Sequence, residues 1–88
     1  MQRVIYKHPL TLTDSQILEW PIGTKVRAIQ MQNNTICVWT EGPAEFEELG
    51  NVEVKIVGTG QMFELEDFTY MATVQEETLV WHVYMREV

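Results

Sequence analysis

The chain has 88 residues, 45% apolar and 22% charged, with five Gly and three Pro. That is the profile of one folded domain spanning 1–88, and it excludes a disordered tail or a multidomain enzyme. Acids outnumber bases 13 to 6, a net charge of -7, so binding along duplex DNA or on an anionic membrane is disfavoured.

A chain this short buries only about 60–65% of the surface its unfolded form exposes, which leaves little room for a deep active site without a partner subunit. The one cysteine, Cys37, forms no internal disulfide and suits a reducing cytoplasm. No apolar run approaches the roughly 18 residues of a membrane span. The segment MQRVIYKHPL lacks the apolar stretch of a signal peptide.

Strand signals dominate. Residues 2–7 put Val4 and Tyr6 on one face, and Pro9 stops the run because it cannot donate to a ladder. Residues 11–20 are ambiguous: Thr13 or Asp14 suits a helix cap, but the stretch before Pro21 is short. It reads as a turn and then a strand over 16–20. Pro21-Ile22-Gly23-Thr24 is a turn, with a fixed φ from Pro and a positive φ open to Gly.

Residues 26–32 form a strand with mixed faces. Asn33-Asn34 tolerates the left-handed conformation of a tight hairpin, and 35–40 returns with β-branched and aromatic residues. Residues 41–51 read as a loop with one helical turn at 44–48. Over 52–57, Val52, Val54 and Ile56 face in while Glu53 and Lys55 face out. Gly58-Thr59-Gly60 ends that strand, and 61–68 is an acidic, aromatic loop or short helical turn. Strands over 70–75 and 78–85 are joined at Glu76-Glu77. Both faces of the last strand are largely apolar, which predicts a central strand or one covered on both sides. About seven short antiparallel strands with regular turns point to an all-β sandwich or partly open barrel.

Charge is uneven. Residues 1–44 hold four bases and three acids, and residues 45–88 hold two bases and ten acids. The acids cluster at Glu45, Glu47 and Glu48 and again at Glu64, Glu66 and Asp67. The plain reading is a pair of solubilising loops. The sharper one is a negative surface that blocks a basic host protein.

Chemistry is thinly signposted. His8, His82 and Cys37 do not fall at metal-ligand spacings, and Glu64-x-Glu66-Asp67 lacks the rest of a calcium loop, so no metal or cofactor is expected. Cys37 reads as a core thiol, and no nucleophile elbow is present, so no catalytic residue is assigned. Gly58, Thr59 and Gly60 read as a tight turn or as a loop that offers N–H groups and a hydroxyl to an anion. Trp39 and Trp81 read as core. Trp20 reads as an exposed anchor at an oligomer interface or a stacking plate for a base. Lys25 and Arg27 are the bases nearest the Pro21–Thr24 turn and suit an anionic small molecule.

Several segments carry a resemblance: Ile5-Tyr6-Lys7-His8-Pro9-Leu10, Pro21-Ile22-Gly23-Thr24-Lys25, Gln30-Met31-Gln32-Asn33, Val57-Gly58-Thr59-Gly60, Tyr70-Met71-Ala72-Thr73 and Leu79-Val80-Trp81-His82-Val83. Across nearly its whole length the chain resembles a family of short phage-encoded proteins without an established function. In that family the Gly-Thr-Gly turn is usually followed by His, where Gln61 stands here. The resemblance implies an accessory role in the cytoplasm of an infected bacterial host, and it brings no catalytic residues.

The resulting expectation is a non-enzymatic, homo-oligomeric binding protein that counters host defence by sequestering a phosphorylated nucleotide-type ligand. Lys25, Arg27 and the Gly58–Gly60 turn hold the anion, Trp20 or Tyr70 stacks on the base, and Trp81, Val83 and Trp20 form the subunit interface. The alternatives are an acidic inhibitor of a basic host protein, a structural virion component and, last, a nucleotide hydrolase.

Overall fold

The computed structural model describes residues 1–88. Seven strands follow in order: β1 (Arg3–Pro9), β2 (Ser15–Pro21), β3 (Lys25–Gln32), β4 (Thr35–Pro43), β5 (Leu49–Gly58), β6 (Thr69–Glu76) and β7 (Leu79–Glu87). All pairings are antiparallel. They form a three-stranded sheet, β1-β4-β3, and a four-stranded sheet, β2-β5-β7-β6. The fold is all-β and sandwich-like, as alternation and turn spacing predict.

The core is the layer between the sheets. Ile36 and Val38 of β4 meet Val52, Val54 and Ile56 of β5 and Val83 and Met85 of β7. These residues are mostly β-branched and sit on a two-residue period, so each strand delivers one apolar row inward. The β3–β4 hairpin forms as predicted, with Asn33 and Asn34 both at positive φ (52° and 63°). That is the backbone of a type I′ turn, whose twist matches the flanking strands.

Two bulges explain why β3 and β6 alternate poorly in sequence. The register of β3 shifts between Val26 and Ala28, which leaves Arg27 as the extra residue. Val26, Ile29 and Met31 therefore all reach the core, although their spacing is not even. In β6 the shift falls between Tyr70 and Ala72, and there Met71 joins Val74 against the core.

β7 is central, between β5 and β6. The end of its outer face, at Tyr84 and Arg86, is covered by the chain's own segment 61–68. Phe63 packs on Tyr84 with ring centroids 5.0 Å apart. Phe68 is buried between Lys55 and Arg86, whose cationic groups stand 4.7 and 4.3 Å from its ring centre. Both contacts lie within the range of cation–π attraction.

Several boundaries differ from the sequence reading. Pro9 lies inside β1, opposite Cys37, because β1 is an edge strand that has a free side for a residue without an N–H. β4 continues to Pro43 and β5 begins at Leu49, so the 41–51 loop shrinks to 44–48, and that loop holds no helical turn. Segment 61–68 is likewise irregular, not helical.

Gly42 allows a close approach: a Cβ there would sit 2.7 Å from Thr24 Oγ1, which is held by its bond to the Pro21 carbonyl. Gly42→Ala is expected to lower stability by about 1–3 kcal/mol through overpacking, read from the urea midpoint. Glu77 holds φ +54° in the β6–β7 turn with its side chain exposed. Glu77→Gly is expected to raise stability by up to about 1 kcal/mol in the same assay, because a left-handed conformation costs a side chain that much.

Candidate functional site

The structure divides the sequence-predicted site residues among three places. Lys25 and Arg27 lie on the outer face of the β1-β4-β3 sheet. Gly58, Thr59, Gly60 and Tyr70 lie around the outer face of the other sheet. Trp20 and Val83 are inside.

Trp20 is 8% exposed and belongs to the core. It meets the ring of His8 edge-on, with centroids 5.3 Å apart. It is not an exposed anchor or stacking plate, because its position in β2 faces the opposite sheet. Val83 is fully buried between the sheets, so it cannot form a surface in the folded chain. Trp81 is half-buried and packs against the core, and its ring closes over Gly58, where a Cβ would come within 3.3 Å of it.

On the four-stranded sheet the polar side chains converge on His82. Thr59 Oγ1 is 2.8 Å from His82 Nε2, and Thr73 Oγ1 is 3.0 Å from His82 Nδ1. Tyr70 OH is 2.6 Å from Thr73 Oγ1. The three segments carrying Gly58-Thr59-Gly60, Tyr70–Thr73 and Val80–Val83 thus meet in one hydrogen-bonded chain. A neutral imidazole donates through one nitrogen and accepts through the other, so one threonine accepts from His82 and the other donates to it. His82 and Thr73 were not singled out as site residues. Their signal is the cross-strand pair they form in the β6–β7 register.

Two of the turn's donors are already engaged. The Gly58 N–H, open to an anion in the sequence reading, donates to Gln61 Oε1 at 3.0 Å. The Thr59 hydroxyl is engaged by His82. No carboxylate orients the imidazole, which the Ser-His-Asp pattern of nucleophile activation requires. Hydroxyls around a histidine can order the sheet surface and recognise a polar ligand, but they do not make a strong nucleophile.

Beside it, Arg86 gathers three carboxylates. It reaches Glu53 at 2.8 Å, Glu66 at 3.0 Å and Asp67 at 2.6 Å. Hydrogen bonds from Ser15 and Arg86 hold the Glu53 carboxyl below its ordinary range, and the Arg86 bond does the same for Asp67. These pairs pin the 61–68 segment to the sheet, so part of the second acidic cluster is structural.

The three-stranded sheet presents a different surface. Trp39 lies on its outer face, because its neighbours Val38 and Thr40 point inward and are buried. The core position expected for Trp39 is therefore incorrect; both faces of β4 are apolar, so alternation alone does not say which is covered. Trp39 is half-buried, opposite Lys7 on β1 and Ala28 on β3. Two residues further along β4, Glu41 accepts from Arg3 Nε at 3.1 Å and from Arg27 Nε at 3.0 Å. Those two bonds hold the Glu41 carboxyl below its ordinary range. Lys25 pairs in register with Glu41. Lys7 Nζ bonds Gln32 Oε1 at 2.8 Å, crossing the row that holds Cys37.

Four of the six bases, Arg3, Lys7, Lys25 and Arg27, thus share one sheet face with a single acid, Glu41, a net of +3. The remaining 12 acids and two bases give the rest of the molecule -10, and the sum is -7.

The Arg86 cluster makes acid stability predictable. Glu53 and Asp67 titrate below their ordinary values of 4.5 and 3.8 in the fold. Their contribution is therefore complete above those values and is lost as pH falls through the folded-state values, because the unfolded chain takes up protons first. Arg86→Gln is expected to flatten the fall of the urea midpoint below pH 4.5 relative to the parent chain.

No curated protein and no solved structure matches this chain. A family profile described as "Domain of unknown function (DUF7352)" matches residues 1–88, so the chain belongs to that family.

Proposed function

We propose that this protein is a non-enzymatic binding module that captures a phosphorylated, base-bearing ligand of nucleotide type on the outer face of the β1-β4-β3 sheet. The observation that carries this reading is Trp39, a half-buried indole on the one basic face of an otherwise acidic molecule. The part of the indole that reaches solvent offers a π-face to a base, and guanidinium groups offer donors to phosphate.

The spacing supports the pairing. The Arg3–Glu41–Arg27 group lies two residues along β4 from Trp39, about 6.6 Å at the usual rise of a strand. That distance suits a base on the indole with its phosphate at the arginines. Glu41 holds each arginine through Nε, and Arg3 Nη2 also donates to the Glu41 carbonyl at 3.3 Å; the remaining guanidinium donors are left for the ligand. Ala28, beside Trp39, leaves one flank of the indole low. The absence of a carboxylate at His82 favours binding over turnover. In this reading Lys25 and Arg27 keep the role expected from sequence, and Trp39 replaces Trp20 as the stacking residue. If the resemblance to phage-encoded proteins holds, sequestration of such a ligand in an infected cell is a counter-defence activity.

A second reading, acidic inhibition of a basic protein, is favoured by the -10 balance of the remaining surface. Glu45, Glu47 and Glu48 are exposed and form no ion pair.

Titration with 5′-AMP, adenosine and inorganic phosphate tests the first reading. AMP is expected to raise the melting temperature more than either fragment, and added salt to weaken it. Trp39→Ala is expected to cost roughly tenfold in affinity, within the range of base stacking on an aromatic ring. Arg27→Ala and Lys25→Ala are expected to reduce the response as well. No response to AMP or to a panel of di- and cyclic nucleotides would sink the proposal. Native mass spectrometry of the protein purified from cells reports subunit count and retained ligand together.

A further inference from the structure

The two sheets do not meet equally at their two seams. β3 and β6 approach each other along one side. On the other side lie the free edges of β1 and β2, and between them opens a cavity of about 220 Å³. That exceeds the roughly 150 Å³ that takes one benzene in an engineered core.

Its walls are aromatic. Tyr6, His8 and Trp20 stand in a row: Tyr6 is tilted 56° to His8 at 6.5 Å, and Trp20 is tilted 62° to His8 at 5.3 Å. Phe46, 52% exposed on the 44–48 loop, is a fourth ring at the mouth. His8 Nε2 and Thr40 Oγ1 satisfy each other at 2.9 Å, and Thr24 Oγ1 donates to the Pro21 carbonyl. The groups left to a ligand are the aromatic rings, the Tyr6 hydroxyl and the Glu19 carboxylate.

The charge around it has one sign. No Lys or Arg lines the cavity, and the one charged residue that does is Glu19. Phe46 is carried between Glu45 and Glu47, with Glu48 next in the chain, all of them exposed. Burial pushes His8 below its ordinary titration range, so it adds no positive charge at neutral pH. Lys25 follows Thr24 but belongs to the outer face of its sheet. An anion is disfavoured here, and a soft cation is favoured.

We infer that this cavity binds a small organic cation carrying a methylated ammonium group, held by cation–π attraction between the exposed rings of Tyr6 and Phe46, with the buried Trp20 closing the floor of the cavity. A methylated ammonium sheds water easily, presents an apolar surface to the rings and carries the charge that the Glu45–Glu48 loop attracts. With no Lys or Arg in the lining and acids around the mouth, a phosphodiester attached to the cation is repelled, which points to a free cationic metabolite. This inference is independent of the nucleotide reading, because it concerns the inner seam and not the Trp39 face.

The test is two-dimensional NMR of the full chain, reading the ring resonances of Tyr6, Trp20 and Phe46 during titration with choline. Sodium chloride at matched ionic strength and 3,3-dimethylbutan-1-ol, the uncharged isostere, are the controls. Choline is expected to give saturable shifts, with the alcohol at least several-fold weaker. Phe46→Leu keeps an apolar side chain at an exposed position and removes the π-face. It is expected to weaken choline roughly three- to tenfold, the scale of one cation–π contact. Glu47→Gln is expected to weaken choline and leave the alcohol unchanged. The inference is overturned if choline gives no saturable shift, if the alcohol binds as tightly, or if Phe46→Leu leaves choline unaffected. Tighter binding of phosphatidylcholine vesicles or of a trimethyllysine peptide than of choline would overturn the assignment to a free metabolite.

Discussion

Everything in this molecule hangs on one thin apolar layer. Val38, Val54 and Val83 lose all contact with solvent between the sheets, and Ile36, Ile56 and Met85 nearly do. A domain of this size has no second core to fall back on. The need to fill that layer decides strand register, and register decides which side chains reach the two outer faces. The bulge at Arg27 is the clearest case. It shifts the parity of β3 so that Val26, Ile29 and Met31 all point inward, and it delivers Arg27 to Glu41 on the outside. A packing requirement thereby completes the basic face.

The outer faces are handled differently. On the four-stranded sheet the chain folds its own 61–68 segment over β5 and β7, fixed by Phe68 between two cations and by Arg86 among three carboxylates. That cover is intramolecular and lies over Tyr84 and Arg86. On the three-stranded sheet Trp39 is half-buried and Ile5 is 65% exposed. Exposed apolar groups ringed by arginine and lysine are a common composition for a binding surface. The asymmetry between a covered acidic side and an open basic side is the main functional message of the fold.

The His82 network shows the limit of motif reading. Gly58-Thr59-Gly60 looks like an anion cradle in sequence because it has two glycines and a hydroxyl. In the fold the Gly58 N–H is engaged by Gln61 and the Thr59 hydroxyl by His82, while the Thr59 and Gly60 N–H groups have no partner. The distinctive residues serve to lock β6, β7 and the turn after β5 together, and only Gly60 of that turn needs its positive φ of 88°.

The sequence alone determined the strands, the Asn33-Asn34 hairpin, the all-β class, the central place of the last strand and the charge difference between the halves. These follow from local chemistry: a two-residue period, left-handed tolerance in turns and simple charge counting. Only the tertiary structure decided which tryptophan lies on an outer face, where Lys25 and Arg27 point, and that Trp20 and Val83 are interior. Alternation separates two faces of a strand but does not say which one is covered when both are apolar, as on β4 and β7. A single bulge reverses the answer for every residue beyond it. The bases of the first half become one surface only because β1, β4 and β3 are neighbours in space, a long-range pairing that no local pattern encodes.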